Sequence, residues 1–68
     1  MTDRVVSCVR EVRRQHALTQ EQLAEKIGVT RQTVIAIEKG NYTPSVLLAL
    51  KLARALGRKV EDLFACET

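Results

Sequence analysis

Sixty-eight residues, with 11 Lys and Arg against 8 Asp and Glu for a net charge of +3, make room for one small core and no deep substrate pocket. No run approaches the roughly 20 apolar residues of a membrane span, Met1-Thr2-Asp3-Arg4 lacks a secretory layout, and two cysteines are too few for a disulfide scaffold. Hydrophobic residues make up 46% of the chain with no Trp, one Tyr and one Phe, so Val, Ile, Leu and Ala must build the core.

Three Gly and one Pro supply few breaks, which suits an all-α bundle of short helices. The expectation is one soluble, cytoplasmic domain over residues 1–68. Its first segment runs from Val5 to Gln15, with Val5, Val9 and Val12 on one helical face and Ser7 as N-cap. Val5 and Val6 are β-branched, and the stretch from Arg4 to Val6 equally suits an extended conformation. Leu18 follows as a loop residue that packs inward. Thr19-Gln20-Glu21-Gln22 reads as a capping box opening a helix from Gln20 to Ile27 that buries Leu23, Ala24 and Ile27. Gly28 ends it, because Gly accepts the left-handed backbone of a C-terminal cap.

Only Gly28 and Val29 separate this helix from Thr30, the N-cap of a third helix from Arg31 to Lys39. Two helices joined so tightly must cross steeply, which is the signature of a helix-turn-helix. The third helix buries Val34 and Ile37 and stops at Gly40. Asn41-Tyr42-Thr43-Pro44 forms a loop, since Pro44 disfavours helical geometry at Thr43. Ser45 caps a fourth helix from Val46 to Leu56, its inward face read at Val46 and Ala53, and Gly57 ends it. A short fifth helix over Val60 to Phe64 has Glu61 and Asp62 in its first turn.

Residues 20–39 fit the two-helix pattern position by position. Ala24 is small where the axes approach, Gly28 permits the reversal, Val29 tucks under the turn, and Leu23, Ile27, Val34 and Ile37 form the seam. With Val34 and Ile37 inward, the third helix turns Thr30, Arg31, Gln32, Ile35 and Ala36 outward. A helix fits the major groove of DNA, where each base pair shows its own pattern of donors, acceptors and methyl groups. Arg31 suits a bidentate bond to guanine and Gln32 one to adenine, while Ile35 and Ala36 offer only apolar contact to thymine methyls. The helix start at Gln20 favours an anion. Thr33, Lys39, Asn41 and Tyr42 are further phosphate candidates, and Arg10 and Arg14 either reach flanking phosphates or form a solvated face.

The chain resembles the phage repressor and Cro-type, or Xre-type, family of DNA-binding regulators. The resemblance rests on Val12-Arg13, Leu18 to Ala24, Gly28 to Val34, Ile37 to Gly40, Tyr42 to Ser45 and Val60 to Phe64, and so covers nearly the whole chain. It implies a compact five-helix, lambda-repressor-like domain in a short bacterial or phage-encoded regulator. In some such regulators a small β-ribbon joins the ends, which would pair Arg4–Val6 with Phe64–Cys66. The resemblance also implies base contacts at the start of the third helix, a phosphate contact at Gln20, and an ion pair between Arg13 and Glu38. Ile35 departs from the pattern, standing where many relatives carry a polar or small residue.

The same family reads palindromic operators as two-fold dimers. Leu47, where relatives often carry a charge, is expected to form a self-complementary patch with Gly57, Arg58 and Phe64, or else to lie half-covered by the loop of Tyr42. Cys8 and Cys66 would lie close together if the ribbon forms, although two reduced thiols acting as small hydrophobes are the plainer reading. His16 and the cysteines match no zinc spacing, no metal or other cofactor is implied, and no catalytic constellation stands out. The reading is therefore a non-enzymatic, dimeric repressor of double-stranded DNA with no evident small-molecule ligand or membrane partner. Its rivals are the DNA-binding antitoxin of a toxin pair and a protein-interaction module on the same fold.

Overall fold

The computed structural model of the chain describes residues 3–67; Met1 and Thr2, part of the stretch read as lacking a secretory layout, lie outside them. Two strands bracket five helices: β1 (Arg4–Ser7), α1 (Val9–Gln15), α2 (Gln20–Ile27), α3 (Arg31–Lys39), α4 (Val46–Leu56), α5 (Val60–Leu63) and β2 (Phe64–Glu67). The helix starts have local causes. Thr19 and Gln22 cap α2 reciprocally, Gln22 N–H donating to Thr19 Oγ1 at 3.0 Å and Thr19 N–H to Gln22 Oε1 at 2.9 Å. Thr30 Oγ1 accepts from Thr33 N–H at 3.3 Å at the head of α3, and Ser45 Oγ accepts from Leu48 N–H at 3.1 Å at the head of α4. At the other ends Gly28, Gly40 and Gly57 all take the left-handed conformation, which an L side chain resists.

The core is wholly aliphatic. Val9 and Val12 from α1, Leu23, Ala24 and Ile27 from α2, Val34 and Ile37 from α3, and Leu63 from α5 close around Leu48, Leu52 and Leu56 of α4. Leu18, Val29 and Phe64 pack against it half-buried. Fully burying one such aliphatic side chain is worth about 1.5–3 kcal/mol. That is a large share of the stability a domain this small reaches, so the seam between α2 and α3 is fixed rather than adjustable.

Four sequence expectations change. Of the two readings of the start, the extended one and the ribbon implied by the resemblance hold, and a helix beginning at Val5 does not: Val5 to Ser7 are strand, and Cys8 N–H donates to Leu63 O at 2.8 Å, continuing the sheet's hydrogen bonding to the threshold of α1. Ser7 therefore precedes the N-cap position, held by Cys8, though its hydroxyl still accepts from Val9 N–H at 3.3 Å. The last helix stops at Leu63, and Phe64 is already extended. The inward face of α4 is Leu48, Ala49, Leu52 and Leu56, while Val46 is 77% exposed. Val46 stands two positions from Leu48, about 200° around the helix, so one excludes the other from the core.

The fourth concerns the cysteines. The strands pair antiparallel as Arg4 with Glu67, Val5 with Cys66, Val6 with Ala65 and Ser7 with Phe64, one residue longer on each strand than expected. In that register Cys8 stands level with Leu63, three residues from Cys66. Three residues of strand span about 10 Å, beyond the reach of a disulfide. Both thiols are free and exposed.

Candidate nucleic-acid interface

Arg31 and Gln32 stand exposed in the first turn of α3, directly after its cap at Thr30. Ile35 and Ala36 continue the same side half-buried, and Lys39 is exposed at its far end. An open cleft of about 740 Å³ runs between α3 and the α1–α2 junction, bringing Arg10, Gln20, Arg31, Ile35 and Lys39 to a common wall. Three of those five side chains are cationic. Arg14 is exposed on α1 but does not line the cleft. Asn41 lies on the other side of Lys39, in a smaller depression against β1, and Tyr42 is exposed in the loop beyond.

At the floor of the cleft Arg13 Nε donates to Glu38 Oε2 at 2.6 Å, and Arg13 Nη2 to Glu38 Oε1 at 3.4 Å. The two side chains are 11% and 4% exposed. Arg13 Nη1 donates to Leu18 O at 2.8 Å, so the guanidinium ties α1, the α1–α2 loop and α3 together. Among the described residues no buried side-chain polar atom lacks a partner, which is the condition under which a buried pair is tolerated.

Gln20 is also engaged. Its Nε2 donates to Glu38 Oε1 at 3.1 Å and its Oε1 accepts from Arg31 Nε at 3.3 Å. Sequence reasoning assigned Gln20 to a phosphate alone and missed these bonds. The partners lie 18 and 11 residues away, and no local pattern marks such a pair. Thr33 is half-buried, its hydroxyl 3.2 Å from that of Thr30, so both threonines serve the helix cap.

Away from this face, Leu47 is 63% exposed beside Val46 and Leu50 at 54%. Gly57 caps the other end of α4, Arg58 Nη2 donates to Gln15 Oε1 at 3.1 Å, and Phe64 begins β2 against the core. His16 caps α1 with its Nδ1 2.9 Å from Val12 O. No helix among the described residues is long and apolar enough to cross a membrane.

A family model described as Helix-turn-helix matches residues 9–63, from the first residue of α1 to the last of α5. The chain belongs to the helix-turn-helix family. It is 61% identical over 57 residues to an uncharacterized HTH-type transcriptional regulator of Methanothermobacter thermautotrophicus, covering 82% of this chain and 83% of that one. The immunity repressor protein of Bacillus phage phi105 is 37% identical over 60 residues, 88% of this chain and 42% of the repressor. Among solved structures, the restriction-modification controller protein C.AhdI from Aeromonas hydrophila superposes with a TM-score of 0.74 at 37% identity, over 79% of this chain and 82% of that one. As a helix-turn-helix protein of the Xre type, the chain is a DNA-binding transcriptional regulator and not an enzyme.

Proposed function

We propose that the protein is a repressor that binds a palindromic operator as a homodimer, each copy laying α3 in the major groove. The observation that carries this reading is the exposure of Arg31 and Gln32 at the head of α3, with Arg10 and Lys39 on the walls of the same cleft. Thr30, Arg31, Gln32, Ile35 and Ala36 read bases, Arg31 favouring guanine and Gln32 adenine. Gln20, Thr33, Lys39, Asn41, Tyr42 and Arg10 hold phosphates and set the register, with Arg14 reaching further along the backbone. Arg13 and Glu38 keep α1 and α3 at a fixed angle behind that surface.

Two-fold symmetry places two copies of α3 one helical turn apart, about 34 Å. The exposed apolar side chain of Leu47, beside Val46 and Leu50, supports contact between copies there; Gly57 and Arg58 at the far end of α4, and Phe64 half-buried on β2, join the proposed interface at its other end. The repressor role draws on the phage immunity repressor among the relatives. Occlusion of a promoter needs no further chemistry, and the protein acts in the cytoplasm, on the nucleoid when bound. A second reading, the antitoxin of a toxin pair, is favoured by the same apolar trio of Val46, Leu47 and Leu50 if a different protein covers it.

Selection of bound fragments from a random DNA pool tests the proposal. The expected result is an inverted repeat whose half-sites contain G·C and T·A positions, with affinity falling steeply as salt rises. Arg31→Ala should relax the preference at one G·C position in each half-site. Unselected fragments, or binding that ignores both salt and Arg31→Ala, would overturn it.

A further inference from the structure

We propose that the groove between the end of α2 and α4 docks an acidic amphipathic helix of a partner protein. Two hollows meet there, one of about 460 Å³ and one of about 200 Å³, and Ile27, Gly28 and Lys51 line both. Together they follow Leu47, Lys51, Arg54 and Ala55, a single stripe of α4 at helical spacing. Leu47 to Ala55 is about 12 Å of helix, room for about two turns of an incoming one. The floor is apolar, with Ile27 and Leu48 buried and Val29 and Ala55 half-buried. Lys26, Lys51 and Arg54 stand exposed at its edges, and among the described residues none of them forms an ion pair. Glu25 is the one acid among the described residues that line the two hollows.

These features specify the occupant. Three cations against one acid favour a partner that brings negative charge. The apolar floor calls for apolar side chains between those acids, which a phosphate backbone lacks. The occupant must also satisfy its own backbone. Both walls are helices, whose N–H and C=O groups bond largely within themselves, and at the turn Gly28 N–H and Val29 N–H are given to Glu25 O and Ala24 O. No strand edge is offered here, so a helix fits and an extended peptide finds no backbone partners. The groove shares no lining residue with the cleft proposed for DNA; Glu21 lines the one and Glu25 the other, a turn of α2 apart. Val46 and Leu50 line neither hollow, so the proposed contact between copies shares only Leu47 with the groove.

The probe is a synthetic peptide of about 15 residues, long enough to hold a helix, with Leu on one stripe and Glu beside it. Titrated into the nitrogen-15-labelled protein, it should shift the amide signals of Gly28, Lys51 and Ala55 and leave those of Arg31 and Gln32 in place. Replacing both cations of α4, Lys51→Ala with Arg54→Ala, should weaken peptide binding by about fivefold or more, the scale of two lost charge pairs. Both side chains are exposed, so a thermal melt of this double variant should match that of the unaltered protein. A scrambled peptide of the same composition, with no apolar stripe, should bind more weakly than the ordered one.

Absence of shifts along the groove overturns the proposal. Equal binding of the scrambled peptide overturns it too, because attraction of opposite charge is then the whole effect. So do shifts at Arg31 and Gln32, which would mean that the peptide imitates nucleic acid in the DNA cleft. If the double variant instead flattens the salt dependence of binding to a DNA duplex, the groove grips phosphates. If it turns a dimer into a monomer in sedimentation, a second copy fills the groove. Either result overturns the partner helix. The titration needs no operator, so its failure is separate from a failure of the DNA reading.

Discussion

Glu38 and Glu67 both pair with an arginine, yet they contribute differently because water treats them differently. Glu67 sits over half exposed against Arg4, its Oε1 2.7 Å from Arg4 Nε, and such exposed pairs are worth about 0–1 kcal/mol. Glu38 is nearly buried, and removing one partner of a buried pair leaves an uncompensated charge, at a cost of about 3–5 kcal/mol. Glu38→Ala should therefore lower the melting temperature by more than about 10 °C, given 4–8 °C per kcal/mol in a domain this size. Glu67→Ala should barely move it. Circular dichroism melts of the two variants check the contrast, and an equal effect would mean that Arg13 finds another partner. The chain alone does not reveal the ion pair, which lies across 25 residues and was expected only through resemblance. The side-chain bonds of Gln20 were not foreseen at all, because they depend on how closely α2 and α3 cross.

Elements announce themselves better than residues. The caps at Thr19, Thr30 and Ser45 and the stops at Gly28, Gly40 and Gly57 are local chemistry, so α2, α3 and α4 have the ends their sequences specify. The start of α1 was left open between helix and strand, and the end of α5 was placed one residue late, because both are set by strand pairing between segments over fifty residues apart. The inward face of α4 was misjudged for another reason, since a helix rich in Leu and Ala offers several apolar stripes and only packing chooses among them. One element end departs from the usual chemistry. Ala17, just past α1, takes φ +55°, alone among the non-glycine residues described. This conformation costs a residue with a Cβ about 1–2 kcal/mol. Ala17→Gly should raise the melting temperature by a few degrees, as differential scanning calorimetry would register, because relief of the turn exceeds the added freedom of the unfolded chain. A lower melting temperature would show that the methyl group packs usefully.

For the molecule as a whole the charge is modest at +3. Arg10, Arg31 and Lys39 nonetheless gather on one cleft, while the bare apolar surface of Val46, Leu47 and Leu50 lies on α4. If that surface joins two copies, Leu47→Glu should leave the melting temperature of the isolated fold nearly unchanged, since Leu47 is 63% exposed. It should shift sedimentation at micromolar concentration from dimer to monomer. A dimer that survives the substitution would move the interface elsewhere.

The ribbon has a consequence for the order of folding. Pairing Arg4 with Glu67 closes a loop of nearly the whole described chain, and contacts so distant in sequence form only after the local helices have gathered. The four residue pairs of β1 and β2 are therefore among the most distant in sequence that the described fold brings together. Yet β1 also lies against the exit of α3, with Val5 O 3.7 Å from where a Cβ on Gly40 would stand. The ribbon thus borders the end of the helix proposed to read DNA, and Lys39 and Asn41 share a depression with Arg4 to Ser7.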